Sequence, residues 1–435
     1  MFSLHFDDGE IDTLSSNENL ISDDVELVSN RIENGGHTEN PELLSLKGSS
    51  EEDEDDEDQS AFSNDENETA TVEWTDSIIA SVLRNPELYP RMRYFKQLAD
   101  SKDITCDGYF PGLSLCWKHF KIGDQFDVEN EHLVITDRLG DGSFGTVYKV
   151  HNVANDTYLA AKMFRIFDFE NFASEYTKLK ALNVYAQRNS VATIVKVLGC
   201  FEIEKHWFIS MELLPQSYTI IREKWNQLDV NIIRRLLFQL ISGIVFFSSR
   251  PFYLVHADLK PENLMLRGTD WNNFQVVIVD FGMSKRSGKF RDDNVQTMGY
   301  CAPEVLFHEK IGRPIDMFSF GIVALETYCG GNVFAGMTDP DCLVFMEHIL
   351  GKFEYFRKRT IDQSFVRLLD EKAEQIPPSM TLRDIFKIYV PEDEAAREAE
   401  ELLLDLIEKS LKASPAQRLT AKDAYQHEFF APLKH

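Results

Sequence analysis

A glycine-rich turn is the first part of this chain whose residue types could do chemistry. The segment Gly140-Asp141-Gly142-Ser143-Phe144-Gly145-Thr146-Val147 has glycine at its first, third and sixth positions. Glycines allow backbone N–H groups to approach the oxygens of a triphosphate closely. The pattern alone is weak, because a dinucleotide-binding turn or a chance loop matches it as well. Here it lies between two strand-like runs, which argues against the dinucleotide fold, where a helix follows the turn.

Lys162 lies 17 residues after Gly145, at the end of the strand-like run Leu159-Ala160-Ala161-Lys162. A lysine that points inward from a strand beneath a glycine loop can pair with the α- and β-phosphates of a nucleotide. It needs a carboxylate to hold it, and Glu175 on a predicted helix is the best-placed candidate. Glu170 is the alternative, because periodicity fixes a helix register only to within a few residues. A lysine considered in isolation is more often a solvated surface residue. The combination with the glycine turn favours a phosphate-binding role for Lys162 instead.

Three further motifs follow in chain order. They are His256-Ala257-Asp258-Leu259-Lys260-Pro261-Glu262-Asn263, then Val279-Asp280-Phe281-Gly282, then Thr297-Met298-Gly299-Tyr300-Cys301-Ala302-Pro303-Glu304. With the glycine turn and Lys162, they resemble the motifs of the eukaryotic protein-kinase family, serine/threonine type. The resemblance covers about residues 130–432. It implies the α+β, bilobal protein-kinase fold, with a small β-rich N-lobe and a larger α-helical C-lobe.

The resemblance assigns chemical roles to these motif residues and implies ATP and Mg²⁺ as cofactors. Asp258 would orient the substrate hydroxyl and accept its proton, and Lys260 would steady the γ-phosphate as charge develops. Asn263 and Asp280 would bind Mg²⁺, which prefers such hard oxygen ligands. Thr297 would contact the catalytic aspartate, and both Thr297 and Lys260 are marks of the serine/threonine type.

The resemblance also implies an adenine pocket. Met211 would be the gatekeeper residue at its back, and the hinge backbone around Glu212 and Leu214 would bind the adenine edge. Four apolar side chains would lie against the ring: Leu139, Val147, Ala160 and Met265.

Three polar residues would support the catalytic machinery without taking part in the chemistry. Glu304 would pair with a buried arginine, for which Arg418 is the candidate, and Asp316 would brace the backbone of the catalytic loop. For each of them the plain alternative is a core polar group with satisfied hydrogen bonds.

The elements that must position these residues are visible in the hydrophobic pattern. Short β-rich runs begin near His132: LVITDRLG, GTVYKVHN, YLAAKMFRI, IVKVLGCFEI and HWFISMELL. Residues 168–182 have apolar residues at helical spacing, and the chain after Pro215 is mostly helical in pattern. The sequence therefore predicts a kinase domain at 130–432, divided into an N-lobe at 130–214 and a C-lobe at 215–432.

The formal net charge of −27 is concentrated in the N-terminal part of the chain. Residues 1–80 carry 24 acidic residues against two basic ones, which leaves −5 for the remainder. Residues 1–75 cannot bury enough apolar area to offset the entropy of ordering, so we expect a disordered acidic tail, solubilising rather than docking. Residues 76–129 are richer in aromatic residues and predict an extension that packs on the kinase domain. Ser49 and Ser50 precede an unbroken acidic run and are hypothetical sites for an acidophilic kinase.

Composition also narrows the classes of partner. The chain lacks the clustered Lys/Arg that a nucleic-acid backbone selects, and residues 1–10 lack the apolar core of a signal peptide. The six cysteines show no metal-ligand or disulfide spacing, which favours reduced thiols and a cytoplasmic or nuclear location. The apolar stretch 236–255 is interrupted by polar residues and predicts a buried helix. We expect protein substrates, no direct nucleic-acid or membrane partner, and a monomer.

Two stretches indicate the branch of the family. HADLKPENLML (256–266) resembles the homeodomain-interacting and dual-specificity tyrosine-regulated kinases, and 341–351 with 405–430 resemble the LAMMER or CDC-like kinases. Both belong to the CMGC group. Cys301 replaces the group's arginine before Ala-Pro-Glu, so we expect no strict preference for proline after the phosphoacceptor.

Ala257 replaces the arginine that usually contacts a phosphorylated activation segment. Without that cation, a phosphate on this segment loses its main partner in the catalytic loop. We therefore expect activity without phosphorylation at Ser284, Ser287 or Thr297.

Two other classes of function remain as alternatives. A pseudokinase scaffold would bind partners through the kinase fold and the acidic tail, but such proteins usually lose the equivalents of Lys162, Asp258 or Asp280. A small-molecule kinase is disfavoured by the Ala-Pro-Glu and Asp316 elements, which build a platform for protein substrates.

Overall fold

A computed structural model describes most of the chain from Phe120 onward. The described residues are 3–4, 120–128, 130–142, 145–165, 168–224, 228–270, 273–288, 295–331, 334, 337, 339–360, 362–375, 381–387, 391 and 393–434. The predicted tail, with Ser49 and Ser50, and most of the predicted extension therefore lie outside the described residues.

The N-lobe is built on one antiparallel sheet. Its strands are β1 (Ser3–Leu4), β2 (Gln125–Val128), β3 (Glu131–Gly142), β4 (Gly145–Asn152), β5 (Thr157–Phe164), β6 (Val197–Ile203) and β7 (His206–Glu212). They lie in the order β1-β6-β7-β5-β4-β3-β2. Side chains on β4 alternate between buried and half-buried positions, as expected for a strand that separates two environments. Strands β3 to β7 correspond to the five β-rich runs of the sequence.

Helix α1 (Phe169–Arg188) connects β5 to β6 and packs on the sheet. Its buried face carries Phe172, Glu175, Leu179 and Leu182, at the three- and four-residue spacing of a helix. The pattern in 168–182 therefore predicted the helix correctly and underestimated its length. A charged residue on this buried face requires a partner, which the site supplies.

The outer face of the N-lobe sheet has its own apolar cluster. Phe120 is 4% exposed and packs against the rings of Phe126, Tyr148 and Phe208. The same cluster includes Leu133 and Ile135 on β3 and Val150 on β4. The residues that directly precede the predicted domain boundary at 130 thus form part of the N-lobe core.

The C-lobe consists mainly of helices. They are α2 (Ile220–Lys224), α3 (Val230–Ser248), α4 (Pro303–Leu306), α5 (Pro314–Cys329), α6 (Asp339–Leu350), α7 (Glu354–Arg359), α8 (Gln363–Gln375), α9 (Leu382–Phe386), α10 (Glu394–Ser410) and α11 (Ala421–Gln426). Short 3₁₀ helices occur at Pro261–Asn263, Pro415–Gln417 and Glu428–Leu433. The fold is the bilobal α+β architecture that the motifs implied, which confirms the predicted fold class for the described residues.

Helix α3 is the central helix of this lobe. Asp229 caps its first turn by accepting hydrogen bonds from the backbone N–H groups of Asn231 and Ile232. By length and composition alone it is the one helix in the described ranges that could cross a membrane. Its residues Leu236, Leu240 and Phe247 are fully buried in the C-lobe core.

Short strands between the helices carry the catalytic motifs. Strands β8 (Gln216–Ser217), β10 (Leu264–Asp270) and β11 (Asn273–Ile278) form one sheet in the order β11-β10-β8, and β9 (Leu254–Val255) pairs with β12 (Lys285–Arg286). The mostly helical pattern after Pro215 did not reveal these strands. Strands β8, β9 and β12 have two residues each and show no periodicity, whereas the apolar runs in β10 and β11 cannot be told from a buried helix by periodicity alone. They place the catalytic loop and the segment after β11 side by side.

Candidate active site

The glycine-rich turn closes the β3–β4 hairpin. Gly140 pairs with Val147, and Gly142 pairs with Gly145 across the two strands. A Cβ atom at Gly145 would lie 1.7 Å from the carbonyl oxygen of Met163, so only glycine fits where β4 passes β5. Ser143 and Phe144, at the tip of the turn, lie outside the described residues. Asp141 accepts a hydrogen bond from Thr146 at 2.8 Å, which ties the two sides of the turn together.

Lys162 on β5 contacts two carboxylates. Its Nζ donates to the two oxygens of Glu175 at 2.8 and 2.7 Å, and to Oδ1 of Asp280 at 2.6 Å. Of the two candidates on helix α1, Glu175 is the residue that faces the lysine, because it lies on the buried face of the helix. The contact joins the N-lobe sheet, helix α1 and the segment that follows β11.

Burial and charge compete in this group. Burial acts to lower the pKa of Lys162, but the attraction of Asp280 and Glu175 outweighs it and raises the pKa above its ordinary value. Burial raises the pKa of Glu175 to about 7, against the attraction of Lys162. Burial acts to raise the pKa of Asp280 as well, but Lys162 holds it below its ordinary value. The lysine and Asp280 are therefore charged at neutral pH.

Asp258 lies at the centre of the catalytic loop. Its Oδ1 accepts a hydrogen bond from the Thr297 hydroxyl at 2.7 Å, and its Oδ2 lies 2.9 Å from Nζ of Lys260. The lysine also donates to the Thr297 hydroxyl at 2.6 Å. Asn263 donates from Nδ2 to the backbone oxygen and to Oδ2 of Asp258, both at 2.8 Å. The structure thus brings together all four residues that the sequence assigned to this part of the site.

Asp316 on helix α5 holds the loop from behind. Its two oxygens accept from the backbone N–H groups of His256 at 2.7 Å and Ala257 at 2.9 Å. Ala257 is fully buried and has a positive φ of 65°. Burial raises the pKa of the Asp316 carboxyl to about 7, although both backbone hydrogen bonds act in the opposite direction. A side chain on a distant helix therefore fixes the left-handed turn that precedes Asp258.

The aromatic residue after Asp280 anchors the segment in the core. Phe281 is fully buried, with ring neighbours Phe247 on α3 and His256 at centroid distances of 5.7 and 4.8 Å. The backbone N–H of Gly282 donates to Oδ1 of Asp280 at 3.2 Å. Asp280 itself has a φ of 60°, a conformation that its local hydrogen bonds must maintain.

The residues assigned to the adenine pocket lie on neighbouring elements. Ala160 on β5 pairs with Met211 on β7, and both side chains are almost fully buried. Leu139 is about half exposed at the end of β3. The remaining members are Val147 on β4, Leu214 after β7 and Met265 on β10. Glu212 also lies here, but its side chain is turned toward the C-lobe, so only its backbone remains for the role proposed from the sequence.

The predicted pair Glu304–Arg418 is present and fully enclosed. The guanidinium donates to the two carboxylate oxygens at 2.6 and 2.9 Å, and neither side chain has more than 1% exposure. Arg418 also donates to the carbonyl oxygens of Lys412, Ala413 and Pro314. A buried charge pair with its remaining donors satisfied supports the geometry of the surrounding segments.

Gln296 is a functional residue that the sequence did not single out. Its backbone N–H donates to the carbonyl oxygen of Ala257 at 2.7 Å. Its side chain donates to the Ser319 hydroxyl at 2.7 Å and accepts from the backbone N–H of Ala302 at 2.9 Å. Through its backbone and its side chain together, this one residue connects the catalytic loop, the Ala-Pro-Glu segment and helix α5. Its position directly before Thr297 was the available signal.

A second group beside the catalytic loop was also missed. Arg222 donates to Glu326 at 2.6 Å and to Glu262 at 3.1 Å, and the hydroxyl of Tyr300 donates to Glu326 at 2.6 Å. These residues come from helix α2, helix α5, the 3₁₀ helix at Pro261–Asn263 and the segment before α4, so no local pattern connects them. They form a hydrogen-bonded cluster, and its member Glu262 lies two residues after Lys260 in the chain.

The site fits a nucleotide held with Mg²⁺. Asn263 and Asp280 provide oxygen ligands of the kind that Mg²⁺ binds, and the amide oxygen is the ligand atom left on Asn263 after its Nδ2 has bonded to Asp258. Within the described part of the chain no cluster of three His, Cys, Asp or Glu side chains occurs. Few protein ligands are expected where phosphate oxygens complete the coordination.

Comparison with known proteins agrees with this geometry. The protein kinase domain family matches residues 133–430. The chain belongs to the protein kinase family. The kinase motifs described above lie inside this match, and Lys260 and Thr297 follow the serine/threonine pattern. Phosphotransfer activity follows from the domain, which confirms the interpretation of the chain as a protein kinase.

Individual relatives place the kinase among the CMGC enzymes. The dual specificity protein kinase CLK1 of Mus musculus is 30% identical over 343 residues, which are 71% of this chain and 68% of the relative. The probable serine/threonine-protein kinase dyrk2 of Dictyostelium discoideum is 28% identical over 71% of this kinase and 34% of the relative. The serine/threonine-protein kinase Doa of Drosophila melanogaster is 27% identical over 71% of this kinase and 40% of the relative. These similarities confirm the resemblance to the CDC-like and dual-specificity tyrosine-regulated kinases.

Proposed function

We propose that this kinase transfers the γ-phosphate of ATP, bound with Mg²⁺, to serine and threonine hydroxyls of protein substrates without prior phosphorylation of its activation segment. The observation that supports it most directly is the assembled site. Lys162 contacts Glu175 and Asp280 in one part of the cleft, while Thr297 and Lys260 contact Asp258 in the other.

The arrangement supports an in-line transfer. Asp258 accepts the proton of the substrate hydroxyl, whose oxygen forms a bond to the γ-phosphorus as the bond to the β–γ bridging oxygen breaks and ADP leaves. Lys260 compensates the charge on the phosphoryl oxygens, and Lys162 holds the phosphates that remain with ADP. Mg²⁺ supplies further positive charge when bound at Asn263 and Asp280.

Independence from activation-segment phosphorylation is supported by the contacts at position 257. A fully buried alanine offers a phosphate no cation there. The backbone of Ala257 instead accepts a hydrogen bond from Gln296, and Lys178 on helix α1 donates to the carbonyl oxygen of Ser284. These hydrogen bonds connect the activation segment to both lobes without a phosphate group.

One phosphotransfer experiment tests the proposal. The full chain, before and after phosphatase treatment, is incubated with ATP, Mg²⁺ and a serine/threonine peptide array. We expect equal turnover in both samples and at least a thousandfold loss in Asp258→Asn. If phosphatase treatment abolishes turnover and the loss maps to Ser284, Ser287 or Thr297, independence is wrong. If the wild type matches Asp258→Asn in turnover but still binds nucleotide, the alternative of a pseudokinase scaffold replaces the proposal.

The same array tests the expectation for proline. Cys301 is almost fully buried beside the carbonyl oxygen of Val295, and a thiol cannot provide the charge or the reach of an arginine. We expect phosphorylation to be as efficient when alanine follows the phosphoacceptor as when proline does. A profile dominated by Ser-Pro or Thr-Pro peptides would contradict this.

A monomer in the cytoplasm or nucleus completes the proposed setting. The location is supported by the thiols of Cys200, Cys301, Cys329 and Cys342, which suit a reducing compartment. Light scattering during gel filtration and fluorescence imaging of the tagged full chain check the two expectations.

A further inference from the structure

The side chain of Glu212, a residue of the N-lobe, contacts Arg267 in the C-lobe. Glu212 is the last residue of β7 and the first residue of the hinge. Arg267 on β10 donates from Nη2 to its Oε1 at 2.5 Å and from Nε to its Oε2 at 3.1 Å. The contact is bidentate, which fixes direction as well as distance. We call these two residues the hinge clamp.

The hinge clamp has further partners on both sides. Arg267 donates from Nη1 to the carbonyl oxygen of Ala192 at 3.0 Å and to Oε1 of Gln275 at 2.8 Å. Glu212 accepts from the backbone N–H of Lys196 at 2.9 Å, and its own N–H donates to the Lys196 carbonyl oxygen at 2.9 Å. The clamp therefore joins the hinge to β10 and to residues 189–196, the linker between α1 and β6.

That linker is itself fixed to the catalytic elements. Asn183 on α1 donates to the carbonyl oxygens of Leu179 and Val195 and accepts from the N–H of Val197, each at 2.9 Å. Val195 donates to the carbonyl oxygen of Ile278, the last residue of β11, at 3.2 Å. The clamp thus belongs to a continuous set of hydrogen bonds between the hinge, helix α1 and the strand that leads to Asp280.

We propose that the hinge clamp of Glu212 and Arg267 positions the hinge backbone for the adenine of ATP. The proposal rests on the nucleotide site proposed above. Glu212 and Arg267 are positioning residues, because their side chains contact each other and neighbouring segments and would act on the nucleotide only through the hinge backbone. Both are partly exposed, at 21% and 35% of their side chains, so the charge pair alone contributes little to global stability. Its effect is geometric: it fixes where the N–H and C=O groups after Met211 lie relative to β10, which carries Met265.

Steady-state kinetics on the full chain separate positioning from support of the fold. Arg267→Ala is expected to raise KM for ATP about tenfold, the loss of one charge-assisted contact, with kcat within about twofold. Arg267→Lys should have a KM for ATP between those of the wild type and Arg267→Ala, because an ammonium group cannot donate to both carboxylate oxygens in the bidentate geometry of a guanidinium. The double variant Arg267→Ala/Glu212→Gln should be no worse than Arg267→Ala, since the two residues act as one unit. Arg383→Ala is the control, because its partner Glu408 lies on helix α10 in the C-lobe.

Nucleotide affinity gives a second readout that does not depend on turnover. ADP binding to Asp258→Asn, measured by calorimetry, is expected to weaken about tenfold when Arg267→Ala is added. Unchanged ADP affinity, or parallel losses of kcat and melting temperature with constant KM, would overturn the clamp. If the wild type fails to phosphorylate any peptide, the proposed function is wrong. If Arg267→Ala still weakens ADP binding in that case, the proposed role of the hinge clamp is supported independently.

Discussion

At the scale of single residues, His256 is held as a neutral imidazole by its two neighbours. Its Nε2 donates to the carbonyl oxygen of Val279 at 3.0 Å, and its Nδ1 accepts from the backbone N–H of Asp258 at 3.3 Å. Protonation of Nδ1 would remove the acceptor and charge a fully buried ring. Burial accordingly lowers the pKa of His256 below its ordinary value. The tautomer therefore contributes to the position of the catalytic aspartate.

This lowered pKa makes stability depend on pH in one direction. Between the folded pKa and the unfolded value of about 6.5, only the unfolded chain binds the proton, so the free energy of unfolding decreases as pH falls. The variant His256→Gln keeps a donor and an acceptor but does not titrate. Between pH 7.5 and pH 5.5 we expect its free energy of unfolding to decrease by about 1 kcal/mol less than that of the wild type. Urea unfolding at the two pH values measures it. Identical losses would contradict the assignment.

At the scale of elements, the β3–β4 hairpin depends on one close approach. The carbonyl oxygen of Met163 occupies the space that a Cβ at Gly145 would need, whereas a Cβ at Gly140 would meet nothing within 4 Å. Gly145→Ala must therefore displace β4 from β5, and we expect it to destabilise the fold by about 2 kcal/mol. Gly140→Ala, the matched control for stability, should cost less than about 0.5 kcal/mol. Equal melting temperatures for the two variants would show that the strands shift freely.

Local and distant pairs differ in how far the sequence predicts them. A helical period fixes the register only to within a few residues, so Glu170 was the alternative partner of Lys162. Lys162 and Glu175 could still be named in advance as the first candidate pair, because a strand ending, a glycine turn and a helical period together limit where each side chain points. The hinge clamp could not, because Glu212 and Arg267 are 55 residues apart and belong to different lobes. Gln296 shows the same limit, since its partners come from a loop and a helix whose relative placement exists only after folding. Motifs record shared chemistry, whereas contacts between elements depend on packing.

At the scale of the whole molecule, the N-lobe extends beyond the family match. That match begins at residue 133, yet β2 extends the sheet at its edge beside β3, and Phe120 packs in the apolar cluster on the outer face. Large aromatic side chains in such clusters contribute several kcal/mol when fully enclosed. The folded N-lobe therefore begins before residue 133, where the family match begins.

Loss of the Phe120 side chain is expected to destabilise the N-lobe. We expect Phe120→Ala to lower the free energy of unfolding by about 3 kcal/mol, because it opens a cavity among Phe126, Tyr148 and Phe208. Ile122→Ala, at a side chain that is 68% exposed, is the matched control and should change it by less than about 0.5 kcal/mol. Thermal unfolding monitored by circular dichroism compares the two. If both variants melt alike, the Phe120 side chain contributes nothing to stability.

The contacts that hold position 257 all run through main-chain atoms. Asp316 accepts from the N–H of Ala257, and the carbonyl oxygen accepts from the N–H of Gln296. The alignment of Asp258 therefore depends on the path of the backbone at residue 257, which is fully buried. Neither hydrogen bond requires an arginine side chain at this position. Alignment of the catalytic aspartate and any control that acts through a charged side chain at position 257 are therefore physically separable.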